Sequence, residues 1–143
     1  MKKLVVLGGG ESGIGAAALA KHNNWDVFVS DAGMLTAAAK KAFENIGVRY
    51  EEGGHTINEI LKAELVVKSP GIPNTVTVIK EIEAAEIAIV SEIEFASHYT
   101  DATLIGITGS NGKTTTAMLT HHLLSDGGID AGLAGNIGNS FAQ

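Results

Sequence analysis

"VVLGGGESGIGAAALA", residues 5–20, decides the fold, because an apolar run ends there in a glycine-rich turn that leads into small helix-forming residues. Gly8, Gly10 and Gly13 have the spacing G-x-G-x-x-G. Such glycines permit a tight turn, and the N–H groups at the start of the following helix can bind an anion. The stretch therefore predicts a strand, a phosphate-binding turn and a helix.

The same alternation of strand and helix continues along the chain. Continuous apolar runs, typical of strands covered on both faces, occur at 4–7, 27–29, 65–67, 87–90 and 104–107. Helices are expected between them at 12–21, 35–46, 75–85 and 113–124, with a weaker strand at 48–51 and a short helix at 57–61. This order predicts an α/β fold, a Rossmann-like parallel sheet with helices on both faces.

The order of elements divides the chain into two parts. Residues 1–93 contain enough strands and helices for a sheet of their own. Residues 94–143 read as the incomplete start of a second α/β domain: a strand, a phosphate loop, a helix and a strand.

Composition excludes several classes of protein. The chain has 143 residues, is 45% hydrophobic and has a formal net charge of −6, without a basic stripe, so a nucleic-acid surface is not expected. It has no cysteine, which excludes disulfides, thiolate metal sites and a cysteine nucleophile. The first apolar run is too short for a signal peptide or a membrane span, which need roughly 7 and about 20 apolar residues. We therefore expect a cytoplasmic protein that does not contact a membrane.

The first glycine loop leaves alternatives open. Asp31 ends the second apolar run, where a dinucleotide-binding fold places the acid that binds a ribose hydroxyl. This favours an NAD(P)-dependent oxidoreductase, although the glycines could also make a tight turn and nothing more. Glu11 lies within the loop, where its carboxylate would repel a pyrophosphate unless it turned outward.

A second loop, "GITGSNGKTTT" at 106–116, argues against the oxidoreductase. Lys113 and Thr114 match the G-K-[ST] end of a P-loop, but Ile107 stands where the strict pattern requires glycine. In this variant loop we expect backbone N–H groups and the Lys113 ammonium to face nucleotide phosphates, and the Thr114 hydroxyl to join a Mg²⁺ ion.

The histidines carry no comparable motif. His121 and His122 are adjacent on a predicted helix, so only one would face a shared metal, and ligation is not expected. Surface roles are expected for His22, His55 and His98.

Five motifs together resemble the Mur ligases, which build the peptide of bacterial cell-wall precursors. They are "GGGESG" at 8–13, "KSPGIP" at 68–73, "SEIEF" at 91–95, "GITGSNGKTTT" at 106–116 and "LAGNIG" at 133–138. The resemblance covers the whole chain. "SPGIP" and "GNIG" resemble the member that adds D-glutamate.

The resemblance implies a three-domain enzyme that adds D-glutamate to UDP-N-acetylmuramoyl-L-alanine (UDP-MurNAc-L-Ala). ATP phosphorylates the alanyl carboxylate, and the amine of D-glutamate attacks the acyl phosphate. The chain would comprise the first, UDP-binding domain and the start of the second, which binds ATP and Mg²⁺. The resemblance further implies a monomeric full-length enzyme. The chain alone is expected to be inactive and to self-associate through surfaces that the rest of the second domain would cover.

Site residues follow from the same resemblance. Backbone amides of Glu11, Ser12 and Gly13 would bind the diphosphate. The resemblance also implies that Asp31 binds the uracil and that Ser69, Pro70 and Gly71 line the other side of the uridine. Asn136 would contact the sugar or the diphosphate. ATP would bind at Gly109, Ser110, Asn111, Gly112, Lys113, Thr114 and Thr115. Lys113 and Thr114 would be catalytic, with Thr114 as a partial Mg²⁺ site.

One further alternative comes from a different class of protein. Residues 104–138 could form a non-catalytic, nucleotide-sensing module that docks onto a partner. That alternative predicts saturable ATP binding by this chain alone.

Overall fold

The computed structural model describes residues 1–135 and 140–142. Its strands are β1 Lys3–Leu7, β2 Asp26–Ser30, β3 Arg49–Glu51, β4 Leu65–Lys68 and β5 Ala88–Ser91. Its helices are α1 Glu11–His22, α2 Ala37–Asn45, α3 Ile57–Ile60, α4 Thr77–Ala84, α5 Glu92–Ser97 and α6 Lys113–Asp126. No helix within these ranges is long and apolar enough to cross a bilayer.

The five strands form one parallel sheet in the order β3-β2-β1-β4-β5, which confirms the predicted α/β class. The order reverses at β1, with β2 and β3 on one side and β4 and β5 on the other. Ligands of open parallel sheets bind where the order reverses, outside the carboxyl ends of the strands. Here that point lies between Gly8, after β1, and Ser69, after β4. A Cβ atom on Gly8 would lie 2.9 Å from the Cβ atom of Ser69.

Helices cover both faces of the sheet, which explains why the strands are continuously apolar. Leu4 and Val6 of β1 join one core cluster, which contains Phe43 of α2. Val5 and Leu7 of the same strand join the other cluster, which contains residues of α3 and α4. Alternate side chains of the central strand therefore enter opposite cores.

Helix α5 packs onto the sheet through Phe95, which is 1% exposed. The Phe95 ring makes edge contacts with Trp25 and Tyr99, at centroid distances of 6.3 Å and 5.2 Å. The predicted domain division between residues 93 and 94 falls within this helix, and it stays a prediction.

Beyond α5, the described residues of the second predicted unit form one helix, α6. Helix α6 begins at Lys113, as the loop motif predicts, but none of its side chains is buried. The prediction of a strand at 104–107 is wrong, because those residues have no neighbouring strand to pair with. Leu104 and Ile105 are 50% and 60% exposed. No strand follows α6 within the described residues.

The segment Ser140–Ala142 returns to the first unit and docks on a buried carboxylate. Glu92, the first residue of α5, is 5% exposed. Its Oε1 atom accepts hydrogen bonds from Ser140 Oγ and from the backbone N–H of Ala142, both at 2.6 Å. Ser140 also packs against α1 at Gly15. A Cβ atom on Gly15 would come within 2.2 Å of Ser140 Oγ.

Candidate nucleotide-binding cleft

The start of α1 presents backbone N–H groups that have no acceptor among the described residues. Gly10 is the N-cap and makes no side-chain capping bond. The first helical bond runs from Ile14 N to Gly10 O, at 2.9 Å. Within the described residues, no acceptor is assigned to the N–H groups of Glu11, Ser12 or Gly13. Such groups, together with the positive end of the helix dipole, favour an anion at this position.

Asp31 ties the first glycine loop to the loop after β2. Its Oδ2 atom accepts from Gly9 N at 2.7 Å, and its Oδ1 atom accepts from Gly33 N at 2.8 Å. Each carboxylate oxygen can accept a further hydrogen bond, so these contacts leave capacity for a ligand. The predicted ligand residue therefore also fixes the geometry of the loop around it.

The loop after β4 forms the opposite wall, and Lys68 holds its shape. Lys68 Nζ donates to Ile72 O at 2.7 Å, and Ile72 N donates to Ser69 O at 3.1 Å. Ser69 and Gly71 line the cleft, whereas Pro70 is exposed and is not among the lining residues. These hydrogen bonds give the wall its shape.

Two clefts open at this edge of the sheet and share Gly10 and Asp31. The larger has a volume of about 440 Å³ and lies between the first glycine loop and the loop after β4. Its wall includes the apolar side chains of Ile72, Pro73 and Val76. The smaller, about 410 Å³, lies between α1 and α2 and is lined by exposed Glu11. Small-molecule sites have volumes of about 300–1,000 Å³, so the clefts suit a ligand of nucleotide size.

His55 lines the larger cleft, although the sequence indicated only a surface role for it. Its Nδ1 atom lies 2.7 Å from Ser30 Oγ, at the end of β2. Ser30 Oγ also donates to Glu51 Oε1, at the end of β3, at 2.6 Å. Ser30 and Glu51 are partners in the sheet register, which brings the two side chains together.

The electrostatics of this cluster keep Glu51 ionised. Burial raises the pKa of Glu51, but hydrogen bonds from Ser30 and from the hydroxyl and backbone N–H of Thr56 outweigh it and hold the pKa below its ordinary value. No local sequence signal identifies the cluster, because Ser30 and His55 are 25 residues apart and only the sheet joins them.

The second glycine loop turns through two glycines with positive φ before α6 begins. Gly109 and Gly112 have φ values of 150° and 75°, and Gly112 is the N-cap of α6. Lys113 Nζ donates to the carbonyl oxygens of Gly109 and Ser110. Its ammonium therefore lies over the loop in which a phosphate would sit. Ser110, Asn111, Thr114 and Thr115 are exposed, and no residue of 109–115 lines either cleft.

Residues with metal-ligating potential are not grouped in the described ranges. No cluster of three or more histidine or carboxylate side chains that could hold a metal occurs there. His121 Nε2 lies 3.0 Å from Ala131 O, and His122 pairs with Asp126 at 3.4 Å. Asn136, predicted to contact the sugar or diphosphate, lies outside the described residues.

A family model described as the MurD N-terminal domain matches residues 3–78. The chain belongs to the MurD N-terminal domain family. The match extends from β1 into α4, so it includes the first glycine loop, Asp31, His55 and the loop after β4. The family resemblance inferred from the sequence is therefore confirmed.

Sequence relatives agree with the assignment to the MurD N-terminal domain family. The chain is 51% identical over 142 residues to the UDP-N-acetylmuramoylalanine–D-glutamate ligase of Christiangramia forsetii, covering 99% of this chain and 32% of the relative. It is 54% identical over 140 residues to the ligase of that name from Porphyromonas gingivalis, covering 98% and 31%. The chain thus spans about a third of the length of these relatives.

Among solved structures, the fold is similar to that of a murein peptide ligase from Psychrobacter arcticus. The TM-score is 0.64 at 28% identity, covering 94% of this chain and 28% of that one. A pseudomurein peptide ligase type C from Methanothermus fervidus gives a TM-score of 0.62 at 32% identity, covering 90% and 27%.

Proposed function

We propose that the chain is the UDP-binding part of an ATP-dependent ligase that adds D-glutamate to UDP-MurNAc-L-Ala in the synthesis of peptidoglycan precursors in the cytoplasm. The observation that carries the proposal is the set of N–H groups of Glu11, Ser12 and Gly13, without acceptors among the described residues. They lie beside two clefts of nucleotide size, within the segment that matches the MurD family.

The clefts suit the two halves of a uridine diphosphate. A diphosphate carries negative charge, which the start of α1 stabilises through hydrogen bonds and the helix dipole. A pyrimidine ring is flat and largely apolar on its faces, and Ile72, Pro73 and Val76 offer it an apolar wall. Asp31 lines both clefts, which supports a contact between its carboxylate and the uridine of the bound substrate.

The loop 109–115 is proposed to bind ATP. Lys113 would exchange its bonds to Gly109 O and Ser110 O for phosphate oxygens, and would stabilise charge as the γ-phosphoryl group passes to the alanyl carboxylate. The amine of D-glutamate would then displace phosphate from the acyl phosphate. Mg²⁺ prefers six oxygen ligands, and Thr114 fits as one of them when nucleotide oxygens and water supply others. We expect the chain alone to bind the UDP substrate without turning it over.

Calorimetric titration of the chain tests the proposal. We expect UDP-MurNAc-L-Ala to bind saturably and NADH not to bind. Asp31→Ala should weaken this binding about tenfold, because the loop loses two hydrogen bonds and the ligand loses an acceptor. Asp26→Ala, at the opposite end of β2, is the matched control and should bind as the wild type does.

Two results would contradict the proposal. Binding of NADH in place of the UDP substrate would restore the oxidoreductase alternative. Tight, saturable binding of ATP without the UDP substrate would favour the nucleotide-sensing module.

Self-association of this chain is proposed through the exposed apolar side chains of α6. Met118, Leu119 and Leu123 are 54%, 55% and 63% exposed. Patches of this kind mark surfaces that another surface covers. In sedimentation, we expect the mass of the chain to rise with concentration, and Leu119→Lys with Leu123→Lys to abolish the rise. Ser125→Lys, on the same helix, should not; a concentration-independent mass for the wild type would refute the proposal.

A further inference from the structure

The segment Ser140–Ala142 lies between α1 and α5, two helices that pack against each other on the sheet. Ser140 and Ala142 are 5% and 6% exposed. In the part of the chain after Ala96 that the structure describes, these two residues alone are buried. The segment is therefore the point at which the second predicted unit is anchored to the first.

Each of the two helices has a feature that fits this segment. On α1, Gly15 leaves room for it, because a Cβ atom there would meet the Oγ atom of Ser140 and lie 2.9 Å from its Cβ atom. Glycine is a poor residue for the interior of a helix, so its cost is offset here by a close approach. On α5, the buried carboxylate of Glu92 accepts hydrogen bonds from Ser140 and from the backbone N–H of Ala142.

The helix that receives the segment also begins the candidate nucleotide site. Gly15 is four residues after Glu11, so the two are separated by about 6 Å along the axis of α1. Between them Gly13 lies against the sheet, where a Cβ atom would meet the carbonyl oxygen of Gly8. The sheet and the segment thus hold the same two turns of the helix from different sides. A shift of these turns would move the N–H groups that face the clefts.

We propose that docking of the segment Ser140–Ala142 and binding of the UDP substrate at the start of α1 strengthen each other, and that Glu92 is the positioning residue for this coupling. The inference rests on the proposed function and extends it. The docked segment holds α1 where its first turn can bind a diphosphate. A bound diphosphate in turn holds α1 where the segment fits, since coupling between two sites is reciprocal.

The coupling connects the two units of the proposed ligase. The segment follows the loop 109–115 and α6 in the sequence, and it is held on the helix that begins the UDP site. Binding of the UDP substrate therefore restrains the unit that carries the proposed ATP loop. Phosphoryl transfer requires its two reactants in a fixed mutual position, which such a restraint favours.

Calorimetric titration of the chain with UDP-MurNAc-L-Ala tests the coupling. Gly15→Ala and Glu92→Ala displace the segment from opposite sides, and we expect each to weaken binding about fivefold. Ser140→Gly removes the atoms that a methyl group at position 15 would meet. In the Ser140→Gly background, Gly15→Ala should therefore cause no further loss. Lys21→Ala, exposed in the last turn of α1, is the control and should bind as the wild type does.

Hydrogen exchange at the Ala142 amide measures the same coupling from the other side. Because the coupling is reciprocal, saturating UDP-MurNAc-L-Ala should slow this exchange about fivefold in the wild type. In Gly15→Ala, where the segment is displaced, exchange should be fast. A merely structural role for Gly15 or Glu92 predicts no response of the Ala142 amide to the substrate.

The outcomes separate this inference from the proposed function. If the substrate binds but leaves exchange at Ala142 unchanged, the coupling is refuted while the UDP site stands. If Gly15→Ala costs the same affinity with and without Ser140→Gly, the substitution acts on α1 itself and the coupling is likewise refuted. If UDP-MurNAc-L-Ala does not bind the wild type, both proposals fail.

Discussion

Gly13→Ala is expected to destabilise the folded chain by about 3 kcal/mol and to abolish binding of the UDP substrate, because there is no room for a methyl group at this position. A Cβ atom there would lie 2.0 Å from the carbonyl oxygen of Gly8 and 3.4 Å from a methyl carbon of Val6. The obstacle is backbone, which cannot rotate away as a side chain can. The start of α1 would have to move off the sheet, and the N–H groups of its first turn would move with it.

Gly10→Ala is the matched control for this prediction. Gly10 belongs to the same motif but has φ −75° and ψ −166°, which any residue adopts. A Cβ atom there meets no heavy atom within 4 Å. We expect its midpoint of urea unfolding to stay close to that of the wild type, while the midpoint of Gly13→Ala falls. Equal midpoints for the two variants would show that the motif does not depend on this close approach.

Glu92→Ala is expected to release the segment Ser140–Ala142 from the first unit. The Ser140 hydroxyl and the Ala142 N–H would lose the buried carboxylate that accepts from both. Leaving a buried donor unsatisfied costs about 1–3 kcal/mol of free energy. The segment therefore has a lower free energy when it detaches and its donors bind water. The sheet does not depend on these contacts, and we expect it to stay folded. Hydrogen exchange at Ala142 should accelerate by about a hundredfold, while exchange in β1 stays slow.

Glu94→Ala serves as the control, since Glu94 has the same charge, belongs to the first turn of the same helix and is exposed. In the Glu94→Ala variant, the rate of hydrogen exchange at Ala142 should match that of the wild type. Accelerated exchange in β1 with Glu92→Ala would contradict the prediction, because it would make Glu92 a requirement of the whole fold.

The fold was accessible from the sequence because its signals are local. The run 4–7 and the glycines after it predict β1, the turn and α1 without knowledge of any other segment. The apolar runs at 27–29 and 65–67 correspond to β2 and β4. The observed β2 is one residue longer at each end, and β4 is one residue longer at its carboxyl end. The prediction of a strand at 104–107 was wrong because a local signal is not sufficient there. An apolar run forms a strand only when another strand pairs with it.

The chemistry of the cleft was less accessible, because it depends on contacts between distant segments. Asp31 was predicted as a ligand residue from its position after the second strand, but its hydrogen bonds to Gly9 and Gly33 follow from the loop geometry. His55 gave no signal, since its partner Ser30 is only a strand-terminal serine in the sequence. Glu92, within the motif "SEIEF", gave no sign of the buried hydrogen bonds that it accepts from residues 48 and 50 positions later.

The position of β1 in the middle of the sheet has a consequence for how the chain folds. β1 precedes the other strands in the sequence, and it pairs with β2 on one side and with β4 on the other. Leu4 therefore has neighbours on both sides only after Leu65 of β4 has been synthesised. A nascent chain that emerges from the ribosome therefore carries a half-paired, strongly apolar strand through most of the synthesis of this unit. Pairing between strands this far apart in sequence slows folding, and the apolar edge of β1 stays open to wrong pairing until β4 has been translated.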